Sequence, residues 1–322
     1  MKHHLLSLLM TAAAALSCVL PPATATASDA DAAVERVLHP RWRGINAHVR
    51  SVNEPFHDVL DYAASHGANA IRITFEPDSA DPGLKARTPA STLQNPLAPY
   101  ERNLALLDSF LPVCRQLDVQ VILATADHHG NPNDFWRAIS NRYKEDPIIV
   151  AYEIKNHPDT IAAIRSRDKN VWLVIASAPP SGGKDVLRSV NDPRVIHTWP
   201  GEPLRFDGNT QTFFWDNTAV KKTLEDVTRF QQRNPGVRIL VGEFGVRRDA
   251  PGGAQWLADS IGIFERHGWD WTFDSIGESP DRDPTYTANE EGKKRPSFKK
   301  GLQETDRLKV LKTGWARNAA QN

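Results

Sequence analysis

Residues 148–158, IIVAYEIKNHP, decide the fold of this 322-residue chain. The stretch is apolar from Ile148 to Ile154 except for Glu153, the pattern of a parallel strand covered by helices on both faces. It closes on a polar cluster, Asn156-His157-Pro158. Residues at the carboxyl end of such a strand open onto the mouth of a parallel barrel, where active sites are built.

Strand and helix patterns alternate on both sides of it. Upstream, residues 41–46 (RWRGIN) read as a strand, 55–66 as a helix with Phe56, Val59, Leu60 and Ala63 on one face, 69–75 (NAIRITF) as a strand, 100–117 as a helix, 119–126 (VQVILATA) as a strand and 133–143 as a helix. Downstream come helix 159–166, strand 170–177, a short helix 184–190, strand 194–199, helix 218–232, strand 238–246, helix 253–267, strand 269–273 and a closing helix 302–312. Eight strand-then-helix units, with no glycine-rich dinucleotide turn after the first strand, point to α/β architecture closed into a single (β/α)8 TIM barrel rather than a doubly wound sheet.

The amino end has a short basic start, an apolar run over 5–20 and the small-residue site Ala25-Thr26-Ala27. Residues 1–27 are thus expected to be a secretory signal peptide and 28–322 the barrel, placing the mature chain in the periplasm or the medium. The run is short for a membrane span, so no stable membrane insertion is expected after signal cleavage. A lipoprotein reading through Cys18 is the minor alternative. Past the signal only Cys114 remains, so no internal disulfide can form, and a chain of this size must hold together by one sizeable core. Lys and Arg number 39 and Asp and Glu 39, and this balance gives no reason to expect a nucleic-acid partner. The basic runs Lys293-Lys294-Arg295 and Lys299-Lys300 read as a solvated face, and PPSGGKD at 179–185 lacks the spacing of a phosphate loop. No residue pattern fixes an oligomeric state.

Polar residues fall at nearly every proposed strand end: Asn46 or His48, Arg72, His128, Asn156 with His157, His197 with Trp199, Glu243, and Trp271 with Asp274. Aromatic faces, imidazoles, amides and carboxylates gathered at one mouth suit a sugar-binding cleft, with rings to stack pyranoses and donors and acceptors for hydroxyls. Asp127, His128, His129, His157 and His197 follow no zinc spacing, so neither a metal nor a cofactor is expected.

In order, the motifs are RGIN, NAIRI, a His after the third strand, YEIKN-x-P, His-x-Trp, GEFG and a Trp on the last strand. This series resembles glycoside hydrolase family 5, retaining (β/α)8 enzymes of the cellulase and mannanase type, across the whole mature chain. The resemblance implies an oligo- or polysaccharide substrate and Glu243 as nucleophile. Arg72 would keep that carboxylate ionised, and Asn156 would bond the hydroxyl beside the reacting carbon. His197 would orient the carboxylates, while His128, Trp199 and Trp271 would line the sugar site.

His157 departs from the family, which has a glutamic acid there to protonate the leaving oxygen. Retaining catalysis uses two carboxyls about 5 to 5.5 Å apart, and only one is evident. Three readings stay open. The imidazole of His157 serves as the acid; or one of Glu76, Asp127, Glu202, Asp216, Asp274 and Glu278 does; or the acid is lost, leaving a carbohydrate-binding pseudoenzyme linked to polysaccharide metabolism. A second departure is Asp274, which occupies the place of the family's aromatic platform, with Trp269 or Trp271 as the alternative platforms.

Overall fold

The computed structural model describes residues 36, 38–78, 95–125, 131–155, 157–176, 187, 189–199, 205–207, 212–214, 217–278, 281–285 and 304–319. The expected signal peptide, the basic runs near 293–300 and the PPSGGKD segment lie outside these, as does most of the short helix expected at 184–190. Eight strands close into a barrel: β1 (Arg43–His48), β2 (Ala70–Phe75), β3 (Gln120–Thr125), β4 (Ile149–Lys155), β5 (Trp172–Ala176), β6 (Val195–Trp199), β9 (Arg238–Phe244) and β10 (Asp270–Phe273). Every adjacent pair is parallel, and β1 meets both β2 and β10 to complete the ring. The alternation read from the sequence is therefore a (β/α)8 barrel.

The helices are α1 (Glu54–Ser65), α2 (Glu101–Gln116), α3 (Pro132–Tyr143), α4 (Pro158–Arg165), α5 (Asn217–Arg233), α6 (Gly253–His267) and α7 (Asp306–Trp315). Local chemistry sets their ends. Asn131 accepts a hydrogen bond from the Asn133 amide at 2.9 Å and Pro132 opens α3, while α6 stops at Gly268, whose φ of 73° is left-handed. One insertion was not expected: β7 (Arg205–Asp207) and β8 (Thr212–Phe214) form a small antiparallel pair between β6 and α5.

Two apolar layers follow from the two-residue period of the strands. Ala70, Ile122, Val150, Ala151, Val174, Ile196 and Leu240 fill the barrel interior with Trp42. The other strand face, with Ile71, Ile73, Val121, Leu123, Ile175, Val241 and Phe273, packs against the helices. A polar floor closes the amino-terminal end. There the Trp42 indole donates to Gln120 at 2.7 Å, Asp270 accepts from the Trp42 amide at 2.9 Å, and Arg238 pairs with Asp270 at 2.7 Å. Ahead of β1, Arg36 is fully buried, donating to both oxygens of Asp168 and to the Tyr143 carbonyl.

Barrel closure leaves almost no room where β1 meets β2. A methyl group at Gly44 would lie 2.0 Å from the carbonyl oxygen of Ala70. Gly44→Ala is expected to lower stability by about 1–3 kcal/mol through overpacking. Urea unfolding measures this; a midpoint equal to wild type would contradict the packing.

Candidate active site

A charged residue interrupts the apolar run of each of two strands, Arg72 in β2 and Glu153 in β4. A buried charge must find a partner, and these two find each other across the barrel top. Arg72 donates through Nε at 2.7 Å and Nη2 at 2.8 Å to the two oxygens of Glu153, a two-pronged pair. Its third nitrogen, Nη1, lies 2.9 Å from Oε1 of Glu243 and donates to Thr74. Burial alone would lower the Arg72 pKa, but the charge and hydrogen bonds of Glu153, then those of Glu243, raise it above the usual guanidinium value. Arg72 is thus a fixed cation facing two carboxylates.

How Glu153 comes to face inward is a matter of register. Between β3 and β4 the pairing runs Val121 to Ile149 and then Ile122 to Ala151, so β4 carries one extra residue, and both Val150 and Ala151 turn into the interior. Alternation from Ala151 then places Glu153 inside. A second extra residue lies in β9, where Trp271 pairs with Val241 but Phe273 with Phe244. Gly242 and Glu243 stand opposite Thr272 alone, and Glu243 is lifted to the rim, its side chain 60% exposed. The Gly242 carbonyl accepts hydrogen bonds from Asn46 Nδ2 at 2.9 Å and Thr272 Oγ1 at 2.7 Å, which hold the irregularity in place. Gly242 has to be small. An added methyl would meet Thr198 Oγ1 at 2.9 Å, with Arg72 and Glu153 each 3.6 Å away.

Other ionisable groups ring the mouth at β1, β2 and β10. His48 lies 3.8 Å from Glu76 and 3.9 Å from Glu278, and Arg50 pairs with Glu76 at 3.1 Å. The Glu278 carboxylate accepts from the His48 amide. Burial raises the Glu278 pKa, as does Asp274, although His48 and the Ser51 hydroxyl pull it down. Asp274 is bound by Arg282 at 2.9 Å. On the opposite side, at the end of β4, Lys155 and His157 are exposed.

Arg72 and Glu243 therefore meet as the sequence suggested, and His157 stands at the mouth just beyond β4. Asn156 and His128 lie outside the described residues, with Asp127, His129, Glu202 and Asp216. Three expectations need correction. His197, 2% exposed, turns away from the carboxylates into the helix layer, its ring edge-on to Phe230 of α5 at 4.8 Å. Trp199 packs edge-on against Trp269 at 5.7 Å, and the fully buried Trp271 packs on Phe244 and donates its indole to Glu265 at 3.1 Å. None of the three faces the barrel mouth. Alternation explains this: Ile196 and Thr198 of β6, and Asp270 and Thr272 of β10, are the residues that face inward. Trp269 and Trp271, both in the outer layer, supply no platform in place of Asp274. Sequence reading missed Glu153, Thr198 and Thr272; the signal for Glu153 was a lone carboxylate in an apolar strand, matched by a lone arginine in another.

The sequence profile of Cellulase (glycosyl hydrolase family 5) matches residues 29–277. No curated protein sequence matches the chain. Solved structures with a similar fold include Thermotoga maritima Cel5A in complex with cellobiose, a mutant form (18% identity, TM-score 0.58, covering 84% of this chain and 96% of that one). The Clostridial cellulose synthase subunit Z from Clostridioides difficile is similar too (17%, 0.59, 84% and 99%), as is endo-glycoceramidase II from Rhodococcus sp. (15%, 0.60, 84% and 78%). At these identities the likeness is one of fold.

Removing Arg72 would leave Glu153 buried and unpaired. Arg72→Met should cost about 3–5 kcal/mol, and the double variant Arg72→Met with Glu153→Leu should recover most of that loss in denaturant unfolding. A double variant no more stable than the single one would show that the pair is not what holds the barrel top. His197 sets a pH dependence, because burial depresses its pKa from 6.5 to about 4. Between those values the unfolded chain binds the proton and the folded chain does not, so its contribution is complete above pH 6.5 and lost as pH falls towards 4. The loss is on the order of 3 kcal/mol. His197→Phe should flatten the stability profile across that window, and an unchanged slope would contradict the burial argument.

Proposed function

Because the chain belongs to glycosyl hydrolase family 5, we propose that it is an exported retaining glycosidase acting on β-linked glycans, with Glu243 as nucleophile. The observation that carries this reading is the Arg72–Glu243 contact at 2.9 Å, in which a buried cation meets a carboxylate open to the mouth. In the first step an oxygen of Glu243 bonds to the anomeric carbon as the glycosidic bond breaks; in the second, water displaces it. Arg72 moves in neither step. It holds the carboxylate in line and meets its charge when it is released.

Glu153 is not the missing proton donor, since both its oxygens are engaged by Arg72. Of the described candidates, Glu76 is paired with Arg50, Asp274 with Arg282, and Glu278 accepts from the His48 amide across the mouth from β4. His157 stands where the family places its acid, so proton transfer on that side falls to an imidazole. Export rests on the leader over residues 1–27. The second reading, a carbohydrate-binding pseudoenzyme, draws its support from the same histidine and from the absence of an aromatic at 274.

Activated aryl β-glycosides need little protonation and separate the two. Wild type should hydrolyse them, and Glu243→Gln should lose that activity by several orders of magnitude. Oligosaccharide affinity without turnover would sink the enzyme reading. Where the leaving group is an unactivated sugar, His157→Glu should raise turnover, by up to the 10²–10⁴-fold that general acid catalysis typically supplies. Unchanged turnover would place the proton donor elsewhere.

A further inference from the structure

The two sides of the mouth present different groups, the carboxylates on one side being largely paired with Arg50 and Arg282. β4 lies directly across the ring from β10. The β10 side, with its neighbours β1 and β2, presents Asp274, Glu278 and Glu76, whereas the β4 side presents Lys155 and His157. Lys155 is the last residue of β4, two positions beyond Glu153 and so on the same face of the strand. It pairs in register with Ala176, is exposed, and makes no ion pair among the described residues. His157 follows at the entry to α4, its amide donating to the Lys155 carbonyl at 2.8 Å. Its side chain makes no capping hydrogen bond to that helix. The carboxylate nearest in sequence, Asp159, is exposed in the first turn of α4.

If Glu243 attacks as read above, this wall faces the departing oxygen. An alkoxide leaving there would need a proton, and among the described residues β4 ends in Lys155 and His157 rather than in a carboxyl. A leaving oxygen that is stable as an anion needs none and gains from a fixed cation instead. A phosphate monoester is such a group: leaving from a phosphodiester it departs as a dianion whose conjugate acid has a pKa of about 6.

We propose, on the basis of that reading, that the bond this site cleaves best is a glycosyl phosphate, with Lys155 and His157 receiving the phosphate. A Glu243 oxygen bonds to the anomeric carbon while the carbon–oxygen bond to phosphorus breaks. Its electron pair stays on the phosphate oxygen: a phosphodiester releases its alkyl phosphate as the dianion, and a 1-phosphate, attacked as its monoanion, releases hydrogen phosphate. In the second step His157 takes a proton from water, the water oxygen bonds to the anomeric carbon, the Glu243 carboxylate is released, and His157 passes the proton to solvent. The sum is sugar phosphate plus water giving free sugar and phosphate, with no other reactant. A soluble sugar 1-phosphate and a lipid-linked sugar phosphodiester share this chemistry.

The test uses the mature protein with four substrates in the β-glucosyl and β-mannosyl series: the 1-phosphate, its citronellyl phosphodiester, the 4-nitrophenyl glycoside and the methyl glycoside. Turnover of either phosphate at least 100-fold above the methyl glycoside is expected, and whichever phosphate is faster identifies the source. Lys155→Ala should lower kcat/KM for the phosphate at least 10-fold more than for the nitrophenyl glycoside, and Lys155→Arg should restore most of it. Nitrophenyl turnover that depends on Glu243, with both phosphates inert, would overturn the substrate class and leave the nucleophile standing. Inertness towards all four would overturn both. Efficient methyl glycoside cleavage whose acidic limb shifts in Glu278→Gln would also overturn the proposal, since a carboxyl would then be supplying the proton.

Discussion

One guanidinium shared by two carboxylates is the constraint around which the top of this barrel is built. Arg72 gives two nitrogens to Glu153 and turns the third to Glu243. A buried arginine needs all of its donors occupied, and β2 offers only Thr74 nearby, so neighbouring strands must bring carboxylates to it. They do so through irregularity. The extra residue in β4 turns Glu153 inward, the extra residue in β9 lifts Glu243 to the rim, and Gly242 leaves the space through which the three side chains meet. Asn46 and Thr272 secure the Gly242 carbonyl at the bend. The two carboxylates differ as a result. Glu153 is consumed in holding the arginine, and Glu243 is left with one hand on the cation and the rest of its surface at the mouth.

Around that centre the two sides of the mouth carry different groups. Carboxylates and His48 occupy the sector of β10, β1 and β2, and the opposite sector at β4 carries a lysine and a histidine. The aromatic residues read as cleft platforms instead serve the barrel. Trp199, Trp269 and Trp271 fill the layer between strands and helices, so recognition by the described residues rests on polar groups rather than stacking.

The strand and helix alternation was legible because apolar periodicity is a property of each segment alone, and the barrel followed from counting its units. Glu243 and Arg72 were legible for a related reason: a charge in an apolar strand is conspicuous wherever it occurs. What could not be read was the side to which each strand-end residue turns. His197 and Trp199 alternate with Thr198, and one residue of register decides which of them meets the sugar. The two extra residues that set this register, in β4 and β9, leave no mark in the sequence, because Val150 and Gly242 are ordinary strand residues until the neighbouring strand is in place. Glu153 was visible as an interruption, but its partner lay 81 positions away.

The account turns on Glu243 forming a covalent bond to the sugar. An activated 2-deoxy-2-fluoro β-glycoside slows release of such an intermediate far more than its formation. Incubated with the mature protein, it should add one sugar mass per chain, and peptide mapping should find that mass on the segment containing Glu243. Turnover of the parent glycoside by a protein that stays unmodified under these conditions, or an adduct on any other residue, would contradict the account.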